Sequence, residues 1–437
     1  MLEEYEVSFN HIVLDDAMDE YGLIRHQLTF PDRKALKDEH LQHDRDERNR
    51  RKAAGQKWHP LAGTPAYVMY EDANYVGNRY LNAQVWRSLV TGDADARNDA
   101  RQAYEASLYP YREGTKREKG YWPKPYGALK GDYAIDKNYT ETSLDQAYSP
   151  VIALWRYYQH VADDSEKKEI EEALHAHAHW WIRHNYNYDY LGEKWNVFDS
   201  NMPPFTANKI SSPSEALKIP IGMHIAYQVS GDKELLDECV RIIRKGIADG
   251  GVQMHRGPRG EIKELYHWAE ICDYFMRETE LCNEIDWSNL IEDCWRAAKS
   301  TVQEDGLCIG MGYFMDDGRI KKYEPGPADS VDHFNYWKTD ARHPSSTAQM
   351  ACLAMLIQEL GYDDEAGNVG KKLLSNVAKI LVDNNHHYLR GESEYLYTHK
   401  EQMPPSQRDI QPISIFSTRT VVFWLDAFWR GKLQGVL

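Results

Sequence analysis

Four stretches of this 437-residue chain repeat a single plan. They are RSLVTGDADARNDARQAY from Arg87, YQHVADDSEKKEIEEALH from Tyr158, AYQVSGDKELLDECVRII from Ala226 and IQELGYDDEAGNVGKKLL from Ile357. Each ends one helix, turns on a short Gly/Ala-Asp signal and opens a second helix capped by Asp. The spacing therefore predicts helical hairpins.

The two helices of a pair differ in kind. The first is apolar nearly all round, as in AQMACLAMLI at 348–357, and a helix without a polar face is buried on every side. The second is amphipathic and charged, as in SEKKEIEEALHAHAHWWI, and covers the outside. Two further apolar segments, IKELYHWAEICDYFM from Ile262 and ISIFSTRTVVFWLDAFW from Ile413, complete six units starting near Asp72, Thr142, Ser212, Ile262, His343 and Ser414. The expected fold is all-α, an (α/α)6 toroid with six inner helices and outer helices between them. An open solenoid would have shorter repeats of more constant length, whereas here long aromatic loops precede the inner helices. Residues 66–437 are assigned to the toroid and 1–65 to an N-terminal arm, with a small β-hairpin within 1–33. The sixth inner helix has no partner after Leu437, and the segment Lys34 to Ala54 is expected to supply it.

Composition narrows the partners. A formal net charge of -16 argues against a surface that tracks nucleic-acid phosphates or anionic lipid. The basic run from Arg45 to Lys52 is interleaved with acids and reads as a solvated helix face. Cys239, Cys272, Cys282, Cys294, Cys308 and Cys352 form no C-x-x-C pair, so they read as reduced core residues. The opening MLEEYEVSFNH has no basic-then-apolar leader, and no stretch is apolar for long enough to span a bilayer. The chain as given thus reads as cytoplasmic, or as exported if a leader has been removed. Its 29 Tyr and 13 Trp, many beside Asn, Gly and His in loops, suit the faces of sugars as well as an ordinary core.

The turn signals VTGDADA and VSGDKEL, together with ETSLDQAYSPVIALWRYYQH followed by WWIRHNYN, resemble the six-hairpin glycosidase superfamily across most of residues 66–437. That resemblance implies an active site at the end of the toroid where the inner helices begin, with carboxylates that handle a carbohydrate substrate. It implies no cofactor.

Glycoside hydrolysis generally takes two carboxyl groups, one protonated and one ionised. Asp145 is the first candidate. With Thr142 as N-cap it stands where a capping box places its acid, and a carboxylate in the first turn is kept ionised by the helix dipole. That suits a base or substrate anchor. The proton donor belongs in an aromatic, desolvated loop, which Asp332 in SVDHFNYW fits, ahead of Asp340 and Asp199. His333, Tyr336 and Trp337 flank Asp332 as substrate contacts. Glu215 reads as the return partner of an Ser212 cap, or as a binding group. Glu71 and Asp72, at the corresponding place in the first hairpin, cap a helix or bind hydroxyls. Arg342 and His343 pair a substrate carboxylate or anchor their loop. His175 and His179 share a helix face, but no carboxylate is fixed beside them in sequence, so no metal site is expected there.

The leading expectation is a glycoside hydrolase. A polysaccharide lyase drawing on His333, Asn335, Tyr336 and Arg342, a sugar epimerase using paired His residues, and a non-catalytic glycan-binding protein are the alternatives.

Overall fold

The computed structural model describes residues 2–29, 32–42, 63–125, 141–190, 193–197, 213–248, 259–278, 285–309, 311–314, 320–321, 343–383 and 415–437, plus a few isolated positions. Six inner helices form a ring: α3 (Ala73–Thr91), α5 (Leu144–His160), α7 (Pro213–Ser230), α9 (Ile262–Glu278), α11 (Pro344–Leu360) and α13 (Thr418–Leu433). Each packs on the next, and α13 packs on α3, which closes the circle. The outer helices are α4 (Ala94–Thr115), α6 (Asp164–Arg183), α8 (Lys233–Ala248), α10 (Trp287–Lys299) and α12 (Ala366–Asp383). This is the (α/α)6 toroid expected from the sequence.

Burial follows the two helix types. In α11 every residue from Pro344 to Ile357 is buried, whereas α4 buries mainly one stripe from Ala96 to Gly114. The hairpin turns are built as their sequences dictate. Gly92, Gly231 and Gly361 all adopt left-handed backbone (φ +67°, +72° and +72°), which L side chains avoid. Asp93 then caps α4 by accepting from Ala96 N at 2.6 Å, and Asp163 forms a reciprocal capping box with Glu166 at the start of α6.

The sixth outer place is filled by α1 (Leu2–His11) and the π-turn Ile12–Ala17 that follows it, where Lys34 to Ala54 had been expected. The charged 34–54 segment has too few apolar side chains for that position. The N-terminal helix has them: Phe9 stacks edge-on against Trp424 at 4.9 Å, and Ile12, Val13 and Ala17 are buried. Polar bonds fix its register, with Asn10 Oδ1 accepting from Tyr80 and Gln84, and Glu6 from Trp429. Leu36 and Leu41 instead join a small second core with Leu23, Met69, Tyr70 and α2 (Pro65–Tyr70).

The β structure of the arm is a single antiparallel bridge between Met18 and Ile24, and a strand β1 (Gln27–Thr29) that pairs antiparallel with β7 (Ile415–Ser417) just ahead of α13. Short sheets β2–β3 (Asn187–Tyr190, Glu193–Asn196) and β4–β5–β6 (Arg259–Glu261, Met311–Phe314, Ile320–Lys321) stand ahead of other inner helices. Cys239, Cys272, Cys294, Cys308 and Cys352 are buried, as expected of core residues, while Cys282 lies outside the described residues. No described helix is long and apolar enough to cross a membrane.

Candidate active site at the helix-start end of the ring

The first two turns of the inner helices bring charged side chains together at one end of the ring. α5 starts one residue later than the sequence suggests: Ser143 is its N-cap, and Asp145 is its second residue. Thr142 is drawn away from capping because its hydroxyl donates to Trp122 O at 2.9 Å and its amide to Asp189 O at 3.1 Å. Asp145 is thereby released from a capping box, and its carboxylate accepts from the Nζ of both Lys218 on α7 and Lys263 on α9.

Lys218 is fully buried and also donates to Glu264 Oε2 at 3.2 Å, while Lys263 Nζ lies 3.4 Å from Glu264 Oε1. Two carboxylates and two ammoniums thus form one compact, charge-balanced group. Burial alone would raise the carboxyl pKa of Asp145, but the charges of Lys218 and Lys263 outweigh it and hold that group well below the usual range. Glu264 is lowered for the same reasons, with Asp145 opposing. Both are anions at neutral pH.

His267, one turn further along α9, completes the cluster. Its side chain is wholly buried, and neither ring nitrogen has a hydrogen-bond partner among the described residues. Burial, reinforced by Lys218, pushes its pKa down to about 3, so the imidazole is neutral. The rings of Tyr75 and Tyr148 meet it at 5.3 and 5.2 Å. The Tyr75 hydroxyl is likewise buried and unbonded. Buried polar atoms that lack a partner among the described residues thus gather here around one group.

Asp72, the N-cap residue of α3, makes no capping bond and instead accepts from Arg419 at the start of α13 and from Gln146 Nε2 at 3.1 Å. Gln146 follows Asp145, so the two acids at the starts of neighbouring inner helices are linked through one side chain. Glu71 is paired with the buried Lys124. His343 caps α11, its Nδ1 accepting from Ser346 N at 3.0 Å.

Below this layer the axis of the ring is filled. Glu270 is clamped by Arg79 through bonds of 2.9 and 2.8 Å, and by Arg156 and Tyr148 at 2.7 and 2.6 Å. Burial pushes the Glu270 carboxyl up, yet the two guanidiniums bring it well below its normal range.

The triad of Asp145, Glu264 and His267 has donor atoms within 4.8 Å of one another, the reach of a metal site. Lys218 and Lys263 already neutralise its carboxylates, so the donor set does not suit a cation. Of the other expected residues, Asp199, Asp332, His333, Tyr336, Trp337, Asp340 and Arg342 lie outside the described residues. Glu215 falls in α7, its side chain also outside them.

Sequence reasoning passed over Lys218, Lys263, Glu264, His267, Gln146 and Arg419. A signal for three of them was present: IKELYH puts Lys263 and His267 on one helix face, and Lys218 is a lone charge in the apolar run ALKIPIGM, where burial demands a partner.

No family model matches the chain, and no curated protein does. Among solved structures, a sugar epimerase from a ruminal bacterium is similar over 98% of this chain and 99% of its own, with 12% identity and a TM-score of 0.50. A D-mannose isomerase (10% identity, TM-score 0.48, 100% of this chain and 97% of its own) is also similar. So is the unsaturated glucuronyl hydrolase of Bacillus sp. GL1 (14%, 0.43, 90% and 96%). At such identities the likeness is one of fold, and the fold is the six-hairpin toroid.

Proposed function

We propose that this protein is a carbohydrate-active enzyme that hydrolyses glycosidic bonds at the helix-start end of its ring, with Asp145 as the ionised carboxylate. The observation that carries this reading is the Asp145 carboxylate held as an anion between Lys218 and Lys263 at the point where the inner helices converge. An acid so held does not donate a proton. It serves as base, nucleophile or anchor for a developing positive charge on the sugar. Glu264 shares Lys218 with it and is ionised too, so these two do not make the acid and base of one reaction. The proton donor is a different carboxyl group, for which Asp332 in the aromatic sequence SVDHFNYW is the candidate.

The test is turnover of an oligosaccharide panel, including uronate-terminated substrates, by Asp145→Asn, Asp72→Asn and Asp332→Asn. Asp145→Asn is expected to lose about 10²–10⁴-fold in rate. Retention of the wild-type rate by that variant, with glycan cleavage intact, sinks the assignment.

His267 supports a second reading. A neutral imidazole with both nitrogens unengaged is equipped to move a proton on a bound sugar, as isomerisation or epimerisation requires. The fold shared with a protein described as a sugar epimerase is in keeping with it. Here products keep their chain length and take up deuterium from heavy water, and His267→Ala stops that exchange; hydrolysis gives neither result.

A further inference from the structure

On the outside of the ring, two imidazoles and a carboxylate converge. Helix α6 sets His175 and His179 one turn apart, with ring centroids at 4.6 Å. The fold then supplies the carboxylate that sequence did not reveal. Asp232, in the turn that opens α8, places Oδ2 at 2.9 Å from His175 Nε2 and 2.8 Å from His179 Nε2.

The carboxylate is fixed from behind. Its Oδ1 accepts from Glu234 N at 3.0 Å as a helix cap, and its own amide donates to Ser230 Oγ at 3.2 Å. One oxygen therefore serves the backbone and the other faces the imidazoles. The side chains of His175, His179 and Asp232 are 38%, 21% and 28% exposed, so a hydrated ion can reach them.

We propose that His175, His179 and Asp232 form a binding site for a borderline divalent transition-metal cation, such as zinc, that ties the second helical hairpin to the third. Two imidazoles and one carboxylate are a donor set such ions favour, and water takes the remaining position. The geometry needs little adjustment. Tetrahedral ligands about 2.0–2.2 Å from a zinc ion stand roughly 3.3 Å apart, so Asp232 Oδ2 parts from each imidazole by about half an ångström on binding. An imidazole that takes the ion through Nε2 keeps its proton on Nδ1, and one that is doubly protonated gives a proton to solvent. The mouth cluster differs here, since no ammonium is bonded to Asp232 among the described residues.

The experiment is calorimetric titration of zinc into chelator-stripped full-length protein at about pH 7.5. Wild type is expected to bind one ion per chain at this site and to gain thermal stability as zinc rises. His175→Ala and His179→Ala are each expected to weaken that binding by roughly tenfold or more, and Asp232→Asn, which keeps a capping oxygen, to weaken it as well. Cobalt(II) in place of zinc gives a second readout, a visible absorption band that the same variants lose. Circular dichroism in chelator checks that each variant is folded, with His175→Gln and His179→Gln replacing any alanine variant that is not. Absence of stoichiometric zinc binding by wild type, or unchanged binding in all three variants, overturns the proposal.

Discussion

A one-residue shift of the helix cap, from Thr142 to Ser143, sets what Asp145 can do. The local pattern TETSLD is legible as a helix start, but the choice between neighbouring caps is made by Trp122 and Asp189, which no short-range pattern reveals. The pairing of Asp145 with the two lysines was hidden for the same reason, since they come from other hairpins. Their presence changes what substitution at Asp145 does to stability. Asp145→Asn removes a carboxylate that neutralises buried Lys218 and its neighbour Lys263, and breaking a buried pair costs about 3–5 kcal/mol. Its melting temperature should fall, and Asp145→Asn/Lys218→Met should recover much of that loss without recovering activity. Thermal denaturation beside a rate assay separates the two effects. A double variant no more stable than the single one would show that the pairing carries little weight.

At the scale of elements, the hairpin turns were the most legible part of the chain. Gly followed by Asp dictates both the end of one helix and the start of the next, and the backbone angles at Gly92, Gly231 and Gly361 conform. Nothing lies within 4 Å of a Cβ built at any of the three, so replacement tests backbone strain alone. Gly92→Ala and Gly361→Ala should each cost about 1–2 kcal/mol in urea denaturation while leaving activity unchanged. The N-terminal helix was far less legible. Its pattern LEEYEVSFNH gives an amphipathic segment but says nothing of which gap it fills, and only the three-dimensional match of Phe9 to Trp424 does. Deleting residues 1–17 should uncover that face of α13 and lower the unfolding temperature sharply. A truncated protein as stable as the full chain would mean that the ring holds without its sixth outer helix.

For the whole molecule, the interior is a store of uncharged histidines. Burial lowers the pKa of His267 to about 3 and those of His177 and His224 to about 4, whereas an unfolded histidine titrates near 6.5. The unfolded chain therefore binds more protons below about pH 6.5, and stability falls as pH drops toward the folded values. With three such groups the slope near pH 5 is about 4 kcal/mol per pH unit. Asp145 and Glu264, held below their unfolded values, add stability that is full above about pH 4 and is lost further into acid. Denaturation curves from pH 7 to pH 4 test this, and a stability that stays flat from pH 6.5 to pH 5 would contradict it. The sixfold plan could be read from the sequence because it repeats. The charged layers along the axis could not, since each is assembled from side chains of several distant units.

The pairing of β1 with β7, and of Thr418 with Arg25 at a separation of 393 residues, also sets an order of assembly. Each hairpin can form from neighbouring chain, but the seam of the ring joins the first helices to the last. During synthesis the growing protein is an open arc whose N-terminal helix waits, apolar face uncovered, until α13 emerges. The slowest and most aggregation-exposed step of its folding is therefore the last one.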